Sequence, residues 1–178
     1  MKNTILHKNL YNTQPKEPLS EVDFIILELF KKRKAYFEAH LKKSRSKKVC
    51  CSACAYPTMQ SHKSYEICPI CSWEQNGYGE TELLWPNHNA DENLTLLDYR
   101  LLVGAHIKLD ETYFSNSDYF KKTINLLGMY DRDYTLLVKS FYIRQNYNEE
   151  KKEFDDTLKK LNDALLIALQ MQPFSYPD

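Results

Sequence analysis

The chain has 178 residues, 43% of them hydrophobic and 13% aromatic, and 24 Lys and Arg balance 24 Asp and Glu to a formal net charge of zero. This length suits one or two small domains with a real core, and the composition excludes a disordered chain and a helical membrane span. The only glycines are Gly77, Gly79, Gly104 and Gly128, and they assemble into no glycine-rich phosphate loop.

Residues 1–8 hold no continuous apolar segment and no small-residue cleavage site, so the expectation is a protein that is not secreted, in the cytoplasm. Residues 1–18 are polar, carry Pro15 and Pro18, and read as an irregular lead-in. A helix is predicted over 20–44: Ser20 and Asp23 form a weak capping box, and Val22, Ile25, Ile26, Leu29, Phe30, Tyr36, Phe37 and Leu41 follow at helical spacing. Residues 48–93 show no helical period and hold all five cysteines and both tryptophans, as expected of turns and short strands around a metal. Thr95 and Asp98 form a second capping box that opens the next helix, with Leu94 placed to staple onto Tyr99. Further helices are predicted at 117–127, ending near Gly128, at 132–146, and at 149–171 before Pro173. The expected fold is mainly α, a helical protein with an inserted small zinc-ribbon-like module of four cysteines. Its parts are a lead-in and basic amphipathic helix (1–47), the metal module (48–105), and a helical region packing on the first helix (106–178).

The cysteines are Cys50, Cys51, Cys54, Cys68 and Cys71. A secreted disulfide scaffold would disperse them and hold an even number; a tight cluster in a reducing compartment reads as metal binding. Cys51-Ser52-Ala53-Cys54 and Cys68-Pro69-Ile70-Cys71 are two C-x-x-C pairs, each a tight turn that brings two thiolates to one side. Two such knuckles complete a tetrahedral all-sulfur site without an open position, which predicts one structural Zn2+ on Cys51, Cys54, Cys68 and Cys71. Iron suits the same donors, and free buried thiols are the plain alternative. Cys50 is left as a spare thiol beside the site or a redox group, and His62 and His88 as loop histidines. Tyr56, Tyr65, Trp73 and Trp85 either cover the knuckles or form a binding surface.

Cys51-Ser-Ala-Cys54-Ala-Tyr56-Pro-Thr58, Ser64-Tyr65-Glu66-Ile67-Cys68-Pro69-Ile70-Cys71-Ser72-Trp73-Glu74, and Leu94-Thr95-Leu96 with Arg100 resemble the bacterial cysteine-rich CPCC proteins over about residues 50–103. The resemblance implies a zinc-ribbon-like module with the zinc role on Cys51, Cys54, Cys68 and Cys71, and some members look like immunity proteins beside polymorphic toxins. The chain departs from the pattern at Ser52 for proline, Ala53 for the middle cysteine, and Ala55 for glycine. Ala55 is therefore expected to hold a turn conformation that glycine adopts at lower cost.

The zero net charge is unevenly spread. Residues 1–49 carry 12 basic and 5 acidic side chains, net +7, whereas 50–99 carry one basic and 7 acidic, net −6. An acidic module repels phosphate and suits a basic partner, such as a nuclease toxin. This favours a non-catalytic protein acting by protein–protein interaction, most concretely an immunity protein. Glu80, Glu82, Trp85, Asp91 and Glu92 are the expected contact residues. The alternative is a nucleic-acid-associated zinc protein using the basic segment 31–48. No sequence motif supports catalysis.

Overall fold

The computed structural model describes residues 18–63, 65–77, 79, 83–84, 94–107, 117–143, 147–169 and 171. Among the described residues are four helices: α1 (Glu21–Ser44), α2 (Leu96–His106), α3 (Ser117–Ile143) and α4 (Tyr147–Ala168). Pairing between extended segments is confined there to isolated bridges, such as Val49 with Met59 and Ile67 with Glu74. The fold is thus mainly α with a small cysteine module, as the sequence predicts. No helix among these residues is long and apolar enough to cross a membrane. The chain divides into two compact units, Met1–Ala105 and His106–Asp178.

In the first unit both predicted caps form. The Ser20 N–H donates to Asp23 Oδ2 at 2.8 Å, and the Asp23 N–H donates to Ser20 Oγ at 3.2 Å. These bonds satisfy two helix-end donors and hold the Asp23 carboxyl below its ordinary value. The Thr95 N–H donates to Asp98 Oδ2 at 3.0 Å, and the Asp98 N–H to Thr95 Oγ1 at 3.1 Å, which starts α2 the same way. α1 stops where Arg45 turns left-handed (φ 53°) and the Ser46 N–H reaches back to the Leu41 carbonyl.

The buried stripe of α1 is Ile26, Leu29, Phe30, Arg33 and Phe37. Val22 and Ile25, expected on the apolar face, are exposed; the true stripe runs one position further round and takes in a charged residue. α2 buries Leu96, Leu97, Tyr99, Arg100, Val103 and Gly104. The two helices meet at Gly104, where an added Cβ would run into Cγ2 of Ile26.

In the second unit α3 is one continuous helix of 27 residues, where the sequence suggests two with a break near Gly128. A glycine ends a helix only if the chain turns left-handed there, and Gly128 does not. A mid-helix glycine costs about 1 kcal/mol, and burial of Phe120, Leu127 and Tyr130 on either side of it holds the helix together. α4 pairs with α3 through the Tyr130 hydroxyl, which donates to Asn162 Oδ1 at 2.6 Å, and through the Phe141 and Phe154 rings, with centroids 4.5 Å apart. The α4 face buries Leu165 and Leu166, and Leu169 just beyond its end is buried too.

Candidate metal centre

Each C-x-x-C segment folds into the same knuckle. In the first, the Ala55 N–H donates to the Cys51 carbonyl at 2.9 Å, and the Cys51 N–H to the Tyr56 carbonyl at 2.8 Å. In the second, the Ser72 N–H donates to the Cys68 carbonyl at 2.8 Å, and the Cys68 N–H to the Trp73 carbonyl at 2.9 Å. The residue after the second cysteine must turn left-handed to close this pattern. Ala55 (φ 65°) and Ser72 (φ 58°) both do so, and the expectation for Ala55 holds.

The knuckles face each other and bring together the four sulfurs that the sequence selects. All of them lie within 4.8 Å of one another, on fully buried side chains. Cys51 Sγ is 3.7 Å from Cys71 Sγ, and Cys54 Sγ is 3.7 Å from Cys68 Sγ. Metal–sulfur bonds of about 2.3 Å in a tetrahedron require sulfur–sulfur edges of about 3.8 Å. A disulfide needs about 2.05 Å, and the five cysteines are free. The donor set therefore fits a single tetrahedrally bound ion and leaves no non-cysteine position.

Electrostatics at the site fall into two groups. Burial pushes the Cys54 and Cys71 thiols well above the ordinary cysteine value. Burial acts in the same direction at Cys68, but hydrogen bonds from Cys51, Cys54, Cys71 and Thr58 outweigh it and hold that thiol well below. Thr58 Oγ1 lies 3.2 Å from Cys68 Sγ. Such a cluster cannot ionise fully without a cation, and a bound metal ion compensates its charge.

The shell around the cysteines comes from both helices. Trp73 and Tyr56 are fully buried; the Trp73 ring packs against Tyr99 of α2, and the Tyr56 ring against Phe37 of α1. These two aromatics cover the knuckles. Tyr65, by contrast, is exposed, and Trp85 lies outside the described residues. The fully buried Gln75 side chain accepts from the Ser52 N–H at 3.3 Å and donates to Ser52 Oγ at 2.8 Å and to the His62 carbonyl at 3.2 Å. Gln75 thus ties the two cysteine loops together.

Two further residues received no role from the sequence, although Arg100 is among those that carry the resemblance. Arg33 of α1 and Arg100 of α2 are 3% and 4% exposed. Arg33 donates from Nε to the Cys54 carbonyl at 2.7 Å, and Arg100 from Nε to the Ser52 carbonyl at 2.8 Å. Each guanidinium also lies over a ring, Arg33 over Tyr56 at 5.4 Å and Arg100 over Phe30 at 4.1 Å. The signal was present in the helical register, since Arg33 falls on the stripe of Ile26, Leu29, Phe30 and Phe37.

Cys50 stands outside the cluster. It is buried, and burial, with the nearby Glu38 carboxylate and Cys51, pushes its thiol up to about 12. It lies at a cleft of about 330 Å³ lined also by Lys42, Arg45, Lys48 and His62. His62 is exposed and does not belong to the metal group. His88 and the expected contact residues Glu80, Glu82, Trp85, Asp91 and Glu92 lie outside the described residues.

Residues 49–100 match the family model described as cysteine-rich CPCC, over the same stretch that carries the resemblance in the sequence. No curated protein and no solved structure matches the chain.

Proposed function

We propose that the protein is a non-catalytic, zinc-binding protein of a reducing compartment such as the cytoplasm. It acts by protein–protein interaction, as an immunity protein that neutralises a cognate bacterial toxin. The observation that carries this reading is the closure of the site: four buried cysteines occupy every corner of the tetrahedron, so the ion braces the fold and offers no position to a substrate. Zinc is favoured over iron because it requires only the tetrahedral sulfur geometry and brings no redox chemistry. The charge of the segment supports a basic partner. Residues 50–99 carry one basic against 7 acidic side chains, and a nuclease groove lined with Lys and Arg is the complementary surface. Glu80, Glu82, Trp85, Asp91 and Glu92 are the proposed contacts. The test is co-expression with a toxin encoded beside this protein: growth is rescued and the two chains co-purify. Loss of rescue on reversing Glu80 and Glu82 to lysine supports the acidic contact, and unimpaired toxicity in the presence of the intact protein overturns the immunity role.

A second reading has its own observation. On α1 and just beyond it, Lys31, Lys32, Lys42, Lys43, Arg45 and Lys47 are all exposed. This face would suit nucleic acid, with binding that falls steeply as salt rises. Absence of binding to mixed DNA and RNA at about 50 mM salt, where phosphate contacts are strongest, excludes it.

A further inference from the structure

The two buried arginines reach the cysteine knuckle through its peptide groups, and both paths end on the same residue. Arg100 Nε donates to the Ser52 carbonyl at 2.8 Å. The N–H of that same peptide belongs to Ala53, and it points at Cys51 Sγ, 3.4 Å away. Arg33 Nε donates to the Cys54 carbonyl at 2.7 Å, and the N–H of that peptide, on Ala55, donates to the Cys51 carbonyl at 2.9 Å. Each guanidinium therefore sits at the oxygen end of a peptide dipole whose N–H end faces Cys51. A positive charge on a carbonyl polarises its amide and strengthens the hydrogen bond the N–H donates, and low local dielectric enlarges the effect. Both guanidinium groups are buried, on side chains anchored in different helices.

From this geometry we infer that Arg100 and Arg33 are positioning residues for metal retention: through the Ser52–Ala53 and Cys54–Ala55 peptides they orient the first knuckle and stabilise the metal-bound sulfur of Cys51. The inference rests on the zinc reading above. Arg100 acts on the sulfur itself, and Arg33 acts on the turn that presents it. The arrangement also links metal to fold, because the arginines that support the knuckle are part of the buried faces of α1 and α2.

Metal competition on the full-length protein tests this, using the wild type, Arg100→Gln and Arg100→Lys. Glutamine keeps a donor for the carbonyl and removes the charge, whereas lysine keeps the charge and loses the planar guanidinium. Zinc affinity against a chromophoric chelator is expected to fall by about 10–100-fold in Arg100→Gln, the usual range for removing an outer-shell partner. Arg100→Lys is expected to lie between the two. With Co2+ as the probe, the sulfur-to-metal charge-transfer band should shift in Arg100→Gln. It should remain in place in Gly128→Ala, which lies in the second unit, where an added Cβ meets nothing within 4 Å. If Arg100→Gln does not fold, Arg33→Gln reads the effect through the other peptide. A wild-type protein that holds no stoichiometric zinc overturns the zinc reading. A wild type that holds zinc, with glutamine variants of equal affinity and unshifted band, overturns only the role of the arginines.

Discussion

The phenol of Tyr99, on the first turn of α2, donates to the carbonyl oxygen of Cys71 at 2.8 Å, with both residues fully buried. The bond fastens the second knuckle to α2 as the arginines fasten the first to both helices. Tyr99→Phe keeps the ring against Trp73 and leaves the Cys71 carbonyl without this donor. An unmet buried acceptor costs about 1–3 kcal/mol, so the zinc-loaded variant should unfold at lower denaturant with an unchanged slope. An unchanged midpoint would mean that water replaces the phenol at no cost.

The approach of α2 to α1 depends on Gly104. A methyl group there meets Ile26 Cγ2 head-on, and the Ile26 side chain is itself buried. Gly104→Ala should therefore destabilise the first unit by about 1–3 kcal/mol through overpacking, even though alanine favours helix. Gly104→Ala combined with Ile26→Ala, which removes Cγ2, should cost less than the two single substitutions added together. If the two substitutions prove additive in a double-mutant cycle, the helices do not meet at this point.

Ala55 holds a left-handed backbone conformation in a fully buried position. A branched side chain adds steric strain at φ 65° and has no room to expand, so Ala55→Val should cost about 2–3 kcal/mol or more. Ala55→Gly relieves strain but loses a buried methyl and loosens the unfolded chain. These effects nearly cancel, and its thermal midpoint should stay close to that of the wild type. A valine variant as stable as the wild type would show that the first knuckle does not require this turn.

Features written in short-range chemistry were legible beforehand. The caps at Ser20–Asp23 and Thr95–Asp98 need only residues three apart, and each C-x-x-C pair defines its own knuckle. The strain at Ala55 could be foreseen because the same local turn sets it. Arg33 lies in the register of the buried stripe, but a charge count treats every arginine as solvated, and neither its carbonyl partner nor that of Arg100 is written in the sequence. Only the three-dimensional meeting of two helices with a turn supplies buried carbonyls for the guanidinium groups to satisfy. For the same reason the apolar stripe of α1 was misplaced: Val22 and Ile25 fit a helical period but lie exposed, whereas Arg33 is buried against the first knuckle.

Gly128 illustrates the opposite error, in which a local signal was given too much weight. It lies inside α3 on the exposed side, and an added Cβ meets nothing within 4 Å. Gly128→Ala should stabilise the second unit by about 0.5–1 kcal/mol, through helix propensity and a less flexible unfolded chain. Two separate helices joined at Gly128 would give the opposite sign, since a left-handed joint penalises alanine. The direction of the change in thermal midpoint thus tests the continuity of α3 without a new structure.

Removal of the metal should unfold more than the cysteine loops. Structural zinc supplies about 10–16 kcal/mol of apparent folding free energy in small zinc peptides, comparable with the roughly 5–15 kcal/mol total stability of a typical domain. Here the knuckles also carry much of the core that α1 and α2 share, because Phe37 packs on Tyr56 and Tyr99 on Trp73. Without the ion the buried cluster cannot stay fully ionised, and the turns that fix Tyr56 and Trp73 lose their brace. Hydrogen exchange after chelation should therefore show protection lost across α1 and α2 as well as residues 49–76, and added zinc should restore it. Cys68→Ser should behave as the chelated protein does and retain no stoichiometric zinc. If it keeps one zinc per chain, Cys68 is not among the ligands. If chelation exposes the loops while α1 and α2 stay protected, those helices are held by Gly104–Ile26 packing alone, and the arginine contacts contribute little to them.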